Sequence, residues 1–249
     1  MRKHENESSK LHVLLTKEEV PNYKIDAGTV VVVFDVLLAT TTIAAVLQYG
    51  ATGVIPVLNA EEGLSIADNL PASTTILTGE SGGRTIEGFV DPLPTLLKDR
   101  VAKKTIVLAT TNGTVAIRSV LKAKEIYAAS LINADAIAEK IITNHINNQV
   151  LLVCAGSMGQ FAMEDFYGAG YLIDRLFSHG GSWQLTDSAN AALLFYRGNE
   201  TDGRKVLKAS ATGKMMMETD LEKDVEFASE QGIIPIVPQF EDGKMIVKG

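Results

Sequence analysis

The chain has 249 residues, 46% of them hydrophobic, and a formal net charge of −7. An acidic surface argues against nucleic acid or a membrane as partner, because phosphate binding needs a basic face, and no run reaches the ~18 unbroken apolar residues of a span. The single cysteine, Cys154, excludes an intrachain disulfide; with CxxC and HExxH both missing, a zinc site built on Cys and His is disfavoured and a cytoplasmic location is expected.

In chain order, MRKHENESSK is polar and lacks an apolar segment, so residues 1–10 read as a flexible tail and 11–249 as a single domain. A valine-rich strand is expected over 29–35, then a helix over 40–49 stopped by Gly50. Strand 53–57, helix 60–69, strands 74–78 and 104–109, and helix 113–122 follow. Next come strand 125–129, helix 133–144 with Asn133 as cap, and strand 150–154. From there helix succeeds helix, over 163–178, 186–196 and 219–231, the last with Thr219 and Glu222 at capping-box spacing. His179-Gly180-Gly181 is a candidate seam between two of them. IVPQFEDGKMIV reads as a hairpin turned at Asp242-Gly243, with Pro235 and Pro238 assigning its first strand to a sheet edge. Strand–helix alternation with such apolar strands predicts an α/β fold: three α/β/α layers, a mostly parallel sheet and a short C-terminal hairpin.

In open parallel sheets, ligands sit beyond the carboxyl ends of the strands. There the first valine-rich strand meets Asp35 and then Thr40 and Thr41, and TTILTG meets Glu80. TIVLAT runs into Thr110, Thr111, Asn112 and Gly113, and VLLVC into Gly156-Ser157 with Glu164 and Asp165 beyond. Singly, each has an ordinary local explanation as turn, cap or helix-dipole residue. Together they form a crowd of carboxylates that needs protonation or a cation. Hard oxygen donors without thiolate or imidazole point to Mg2+ held by Asp35, Glu80, Glu164 and Asp165. The Thr- and Gly-rich turns offer hydroxyl and N–H donors to phosphate. GxxxxGK[ST] and GxGxxG are missing, which argues against the common nucleotide sites.

DVLLATTT, TGESGGRTIEGFVD, ATTNGT, CAGSMGQFAMEDFYGAG and ASATGKMMMETDLEKDVEFASEQGIIPIVP, in this order, resemble the 2-phosphosulfolactate phosphatase family. The resemblance implies an α/β enzyme that hydrolyses the phosphate ester of sulfolactate with Mg2+, in the route to coenzyme M or toward sulfolactate. For such a phosphatase the residues at the strand ends offer Asp35, Glu80 and Asp165 as candidate catalytic groups, and Thr40, Thr41, Thr110, Thr111, Asn112 and Gly113 as candidate substrate contacts. Leu38 and Ser81 depart from the family pattern, which carries arginine at both places; Arg84 and Lys214 are the candidates to replace that clamp. The expected partner is a small anionic phosphorylated substrate, the alternative being a weak relative that only binds such an anion. The sequence leaves homo-oligomer formation open.

Overall fold

All five residues from Val30 to Phe34 are buried, because both faces of their strand are covered. Val30, Val32 and Phe34 pack with one helical layer and Val31 and Val33 with the other, the period-two alternation of a strand in a doubly covered sheet. The structure, a computed structural model, describes residues 9–248. In chain order the elements are β1 (Lys10–Leu14), β2 (Val30–Phe34), α1 (Ala39–Gln48), β3 (Gly53–Val57), α2 (Ala60–Ala67), β4 (Thr75–Ser81) and β5 (Arg84–Thr85). Then come α3 (Pro94–Leu97), β6 (Thr105–Ala109), α4 (Gly113–Ser119), β7 (Glu125–Ala129), α5 (Ala134–His145), β8 (Val150–Cys154) and α6 (Met163–Ser178). The remainder is β9 (Gln184–Leu185), α7 (Asp187–Arg197), α8 (Gly203–Ala209), α9 (Ala211–Glu218), α10 (Glu222–Ser229), β10 (Pro238–Glu241) and β11 (Lys244–Val247). Among the described residues no helix is long and apolar enough to cross a membrane.

The strands form one 11-stranded sheet in the order β5-β4-β6-β3-β11-β10-β7-β2-β8-β1-β9. The fold is therefore the expected α/β class with a mostly parallel sheet. Strands β4, β6 and β3 run parallel in one half, and β7, β2, β8, β1 and β9 in the other. The C-terminal hairpin is not at an edge, as its prolines suggested: β10 and β11 lie in the middle, antiparallel to both halves. One residue pair joins them on each side, Met245 opposite Val54 and Gln239 opposite Tyr127. The hairpin satisfies what would otherwise be two open inner edges. Pro238 is tolerated because it is the first residue of its strand. Lys17, just past β1, reaches Asn112, just past β6, at 2.9 Å across the mouth of the sheet.

Other expectations shift locally. Of the expected tail, residues 1–8 lie outside the described residues, while Lys10 begins β1 and pairs with Gln184. The candidate seam at His179-Gly180-Gly181 instead leads into β9, which extends the same sheet. Gly50 ends α1 as expected, with φ +93 and its N–H donating to the Leu47 carbonyl. Asn133 does not cap α5 with its side chain; Oδ1 accepts from the Ser130 N–H at 2.9 Å instead. Thr219 belongs to the end of α9, where its hydroxyl donates to the Met215 carbonyl, so no capping box with Glu222 forms. Helices α8 and α9 had no counterpart among the expected elements.

Candidate active site

A cavity of ≈ 250 Å³ opens beyond the carboxyl ends of β2, β4, β6 and β8. Asp35, Glu80, Thr110, Thr111, Asn112, Glu164 and Asp165 all line it, so segments distant in sequence converge as expected. Asp35 follows β2 directly and lies between the starts of α1 and α4. Its Oδ1 accepts a long 3.4 Å contact from the Ala39 N–H, and the Gly113 N–H also favours its charge. These donors are outweighed. Burial, then the facing carboxylates of Glu80 and Glu164, push the Asp35 carboxyl up to about 7. Gly113 is required for space: a Cβ there would lie 2.5 Å from Asp35 Oδ2.

Two of the other carboxylates are tied to the backbone. Asp165, on the first turn of α6, accepts from the Val36 N–H through Oδ1 at 2.8 Å and from the Gly156 N–H through Oδ2 at 3.1 Å. It thereby fastens the loop after β2 to the loop after β8. Gly156 has φ +69, which a glycine adopts without strain. Burial and the Asp35 charge nonetheless push the Asp165 carboxyl well above its ordinary range. Glu80 accepts from the Thr111 N–H at 2.7 Å, the Thr111 hydroxyl at 3.0 Å and the Gly83 N–H at 2.8 Å. Glu164 differs: it is only 2% exposed, yet among the described residues it has neither a hydrogen-bond donor nor an ion-pair partner.

The threonines do not present a row of free hydroxyls. Thr40 Oγ1 donates to the Asp35 carbonyl at 2.8 Å, and Thr41 Oγ1 donates to the Val36 carbonyl at 2.8 Å. Both are fully buried and neither lines the cavity, so they brace the bend after β2 instead of facing phosphate. Thr110 Oγ1 accepts from the Thr114 N–H at 3.1 Å and steadies the start of α4. Thr111 spends its N–H and hydroxyl on Glu80. The substitutes for the family arginines are likewise displaced. Arg84 and Lys214 are exposed and neither lines the cavity, because β5 and α9 turn these positions to solvent. Ser81 is also exposed, whereas Leu38 forms part of the cavity wall.

The structure adds residues that sequence reading missed. Lys17 is mostly buried, and its Nζ donates to Asn112 Oδ1 at 2.9 Å while pairing with Glu18 at 2.8 Å. An ammonium only donates, so Asn112 must present its oxygen to Lys17, leaving its two Nδ2 hydrogens for other partners. Nothing in LLTKEEVPN signalled this, because the partner lies 95 residues away. Asp91, Met158, Met215, Met216 and Leu221 also line the cavity, beside Ser157, which the sequence already places at the sheet mouth. The Cys154 thiol is fully buried and pushed well above its ordinary range, which makes it a poor nucleophile.

Comparison with known proteins gives the family. The family model described as 2-phosphosulpholactate phosphatase matches residues 14–243. A probable 2-phosphosulfolactate phosphatase of Clostridium acetobutylicum is 35% identical over 240 residues, covering 95% of this chain and 100% of that protein. One from Clostridium beijerinckii is 34% identical over 239 residues, covering 95% and 98%. One from Thermotoga petrophila is 37% identical over 220 residues, covering 87% and 91%. With the match spanning nearly every element that frames the cavity, the chain belongs to the 2-phosphosulpholactate phosphatase family.

Proposed function

We propose that the protein is a Mg2+-dependent phosphatase that hydrolyses a small organic phosphate ester. One observation carries the reading: Asp35 and Glu164 are buried carboxylates facing one cavity that no Lys, Arg or His lines. Such a site lacks a positive charge, and the donor set is all hard oxygen, which suits Mg2+. Among the described residues no three acidic, His or Cys side chains converge as a complete metal cage. That fits an ion which keeps several waters and takes one or two carboxylates plus substrate phosphate. Asp35 and Glu164 would hold it. Glu80 and Asp165, already bonded to backbone N–H groups, would position the loops around it. When bound, the ion would neutralise the carboxylates and polarise the phosphoryl group.

The chain's own groups then have distinct tasks. Asn112 Nδ2 and the Ser157 hydroxyl would donate to phosphoryl oxygens. Hydrolysis adds water to phosphorus, breaks the ester P–O bond and leaves an alcohol that needs a proton. The attacking water gives up a proton as it adds to phosphorus, which balances the one the alcohol takes. A role limited to anion binding is disfavoured, because five acidic residues and no cationic side chain line the cavity.

The relatives' name makes phosphosulfolactate the first ester to assay, with p-nitrophenyl phosphate beside it. Phosphate release should require Mg2+ and stop on chelation; failure to hydrolyse any ester of a broad panel in Mg2+ would overturn the reading. Protons and the ion compete for Asp35, so at limiting Mg2+ the rate should fall about tenfold per pH unit below pH ~7. Raising Mg2+ should move that limb to lower pH. Lys17→Met should let the Asn112 amide turn, raising KM about tenfold by loss of one oriented hydrogen bond. An unchanged KM would mean that Asn112 does not touch substrate.

A further inference from the structure

Besides the carboxyls, five side chains that line the cavity carry hydrogen-bond donors: Thr110, Thr111, Asn112, Ser157 and Thr212. Two of them are committed inside the protein. The Thr110 hydroxyl donates to Thr114 Oγ1 at 3.3 Å, and the Thr111 hydroxyl donates to Glu80 at 3.0 Å. Asn112 Nδ2 and the Ser157 hydroxyl are assigned to the phosphoryl group above. Thr212 is left: among the described residues its hydroxyl meets no partner. It is half-buried on the first turn of α9, one helical turn before Met215 and Met216, so all three reach the cavity from one face. That turn is braced. Ser210 Oγ accepts from the Gly213 N–H at 3.0 Å and donates to the Leu207 carbonyl at 2.8 Å. A Cβ at Gly213 would lie 1.9 Å from the Leu207 oxygen, so only glycine lets α9 pack this closely on α8. The Met215 sulfur would lie 3.3 Å from a Cβ at Gly83, which sets α9 against the turn after Glu80. An unspent hydroxyl on a braced turn inside a ligand cavity is a preorganised contact.

We propose that the Thr212 hydroxyl donates to the acidic group that the ester carries beside its phosphate, and so selects such esters over plain monophosphates. This rests on the phosphatase reading and deepens it. A second anionic group entering among Asp35, Glu80, Asp91, Glu164 and Asp165 needs a donor to offset their repulsion. Asn112 and Ser157 are engaged by the phosphoryl group, so the Thr212 hydroxyl is the uncommitted side-chain donor able to meet it. A hydrogen bond from a neutral hydroxyl to an ionised acceptor is stronger than one between neutral groups. Phosphosulfolactate carries a carboxylate and a sulfonate that could accept it, whereas p-nitrophenyl phosphate carries no second acid.

The test is Thr212→Val, which keeps the shape and removes the hydroxyl. In Mg2+, KM for phosphosulfolactate should rise about tenfold, the loss of one hydrogen bond to a charged group, and kcat should fall less. Ki for sulfolactate should rise by the same factor relative to Ki for inorganic phosphate. The ratio of kcat/KM for phosphosulfolactate to that for p-nitrophenyl phosphate should fall about tenfold, and Thr212→Ser should restore it. Because the hydroxyl bonds nothing in the protein, the valine variant should melt with the parent; a merely structural role would move all ligands together. Equal losses on every ligand, unchanged ratios, or a parent that hydrolyses p-nitrophenyl phosphate and not phosphosulfolactate overturns the inference and leaves the phosphatase reading standing. If no ester is hydrolysed, the phosphatase reading fails, and calorimetry with sulfolactate decides Thr212 separately. Binding about tenfold weaker in the valine variant supports the contact; equal binding, or none by the parent, overturns it.

Discussion

Asp35→Asn should abolish Mg2+-dependent hydrolysis and, at the same time, make the metal-free protein more stable at pH 8. Two opposite effects are expected because one buried charge serves the reaction and strains the fold. The carboxyl is raised from 3.8 to about 7, first by burial and then by Glu80 and Glu164. Between those values the folded protein keeps a proton that the unfolded chain has released. Stability therefore declines as pH climbs from about 4 through about 7, and the ionised Asp35 carries its full cost above that. Three units correspond to a ceiling of about 4 kcal/mol, and relaxation of the cluster brings the realised cost nearer 1–3 kcal/mol. Asparagine keeps an oxygen for the Ala39 N–H and replaces the other with a donor amid carboxylates. Melting at pH 8 without Mg2+ should rise by roughly 2–4 °C per kcal/mol for a chain of this size. At pH 5, where the folded parent keeps its proton, the gap should narrow, and it should close near pH 4. Mg2+ should raise the parent's melting temperature and not the variant's. Parent-like turnover in the variant would reduce Asp35 to a turn residue, and a lower melting temperature at pH 8 would show that its charge is well compensated.

The sequence made this carboxylate visible because strands buried on both faces are written as unbroken apolar runs. VVVVF stops at a charge, which alone reads as a turn or cap residue and stands out only beside the other acids at the same sheet mouth. Glu164 and Asp165 were legible for the same reason, one loop beyond VLLVC. Their different duties were not legible. Adjacent acids look alike in a sequence, but on α6 one meets the Val36 and Gly156 N–H groups and the other meets none. The threonines misled because a hydroxyl near a strand end bonds the nearest backbone carbonyl as readily as a ligand. Thr40 and Thr41 do so at 2.8 Å each.

The largest misreading of the fold concerned β10 and β11. Prolines are edge signals in an ordinary sheet. Here the two parallel halves leave a gap that a late hairpin fills, and no local pattern encodes a gap made by other strands. Lys17 escaped for a related reason: its contact with Asn112 joins segments 95 residues apart, the turn after β1, which crosses to the end of β8, and the start of α4. Met215 escaped because no element was expected over ATGKMMMETD, and only packing shows that it borders a cavity.

Gly113→Ala should damage the site through geometry alone. The glycine begins α4, where alanine is the better helix former by about 1 kcal/mol, so propensity favours the change. Its φ is not positive, so backbone conformation does not forbid a side chain either. Space does. The new Cβ would lie 2.5 Å from Ala39 Cβ, 2.5 Å from Asp35 Oδ2 and 2.9 Å from Asp35 Cβ. Two of these atoms are fixed by backbone, so α4 must retreat or Asp35 must swing away. Overpacking of this kind costs about 1–3 kcal/mol. The retreat would also move Asn112 and Thr111 relative to Glu80, and a displacement of about 1 Å at a reacting centre costs on the order of 100-fold in rate. The expected outcome is a lowered melting temperature together with kcat/KM reduced about 100-fold and weaker Mg2+ binding by calorimetry. Circular dichroism should remain that of the parent, since the rest of the sheet is untouched. A variant that loses stability yet keeps parental kcat/KM would show that Asp35 can move without consequence. The carboxylate between α1 and α4 would then have no part in the chemistry.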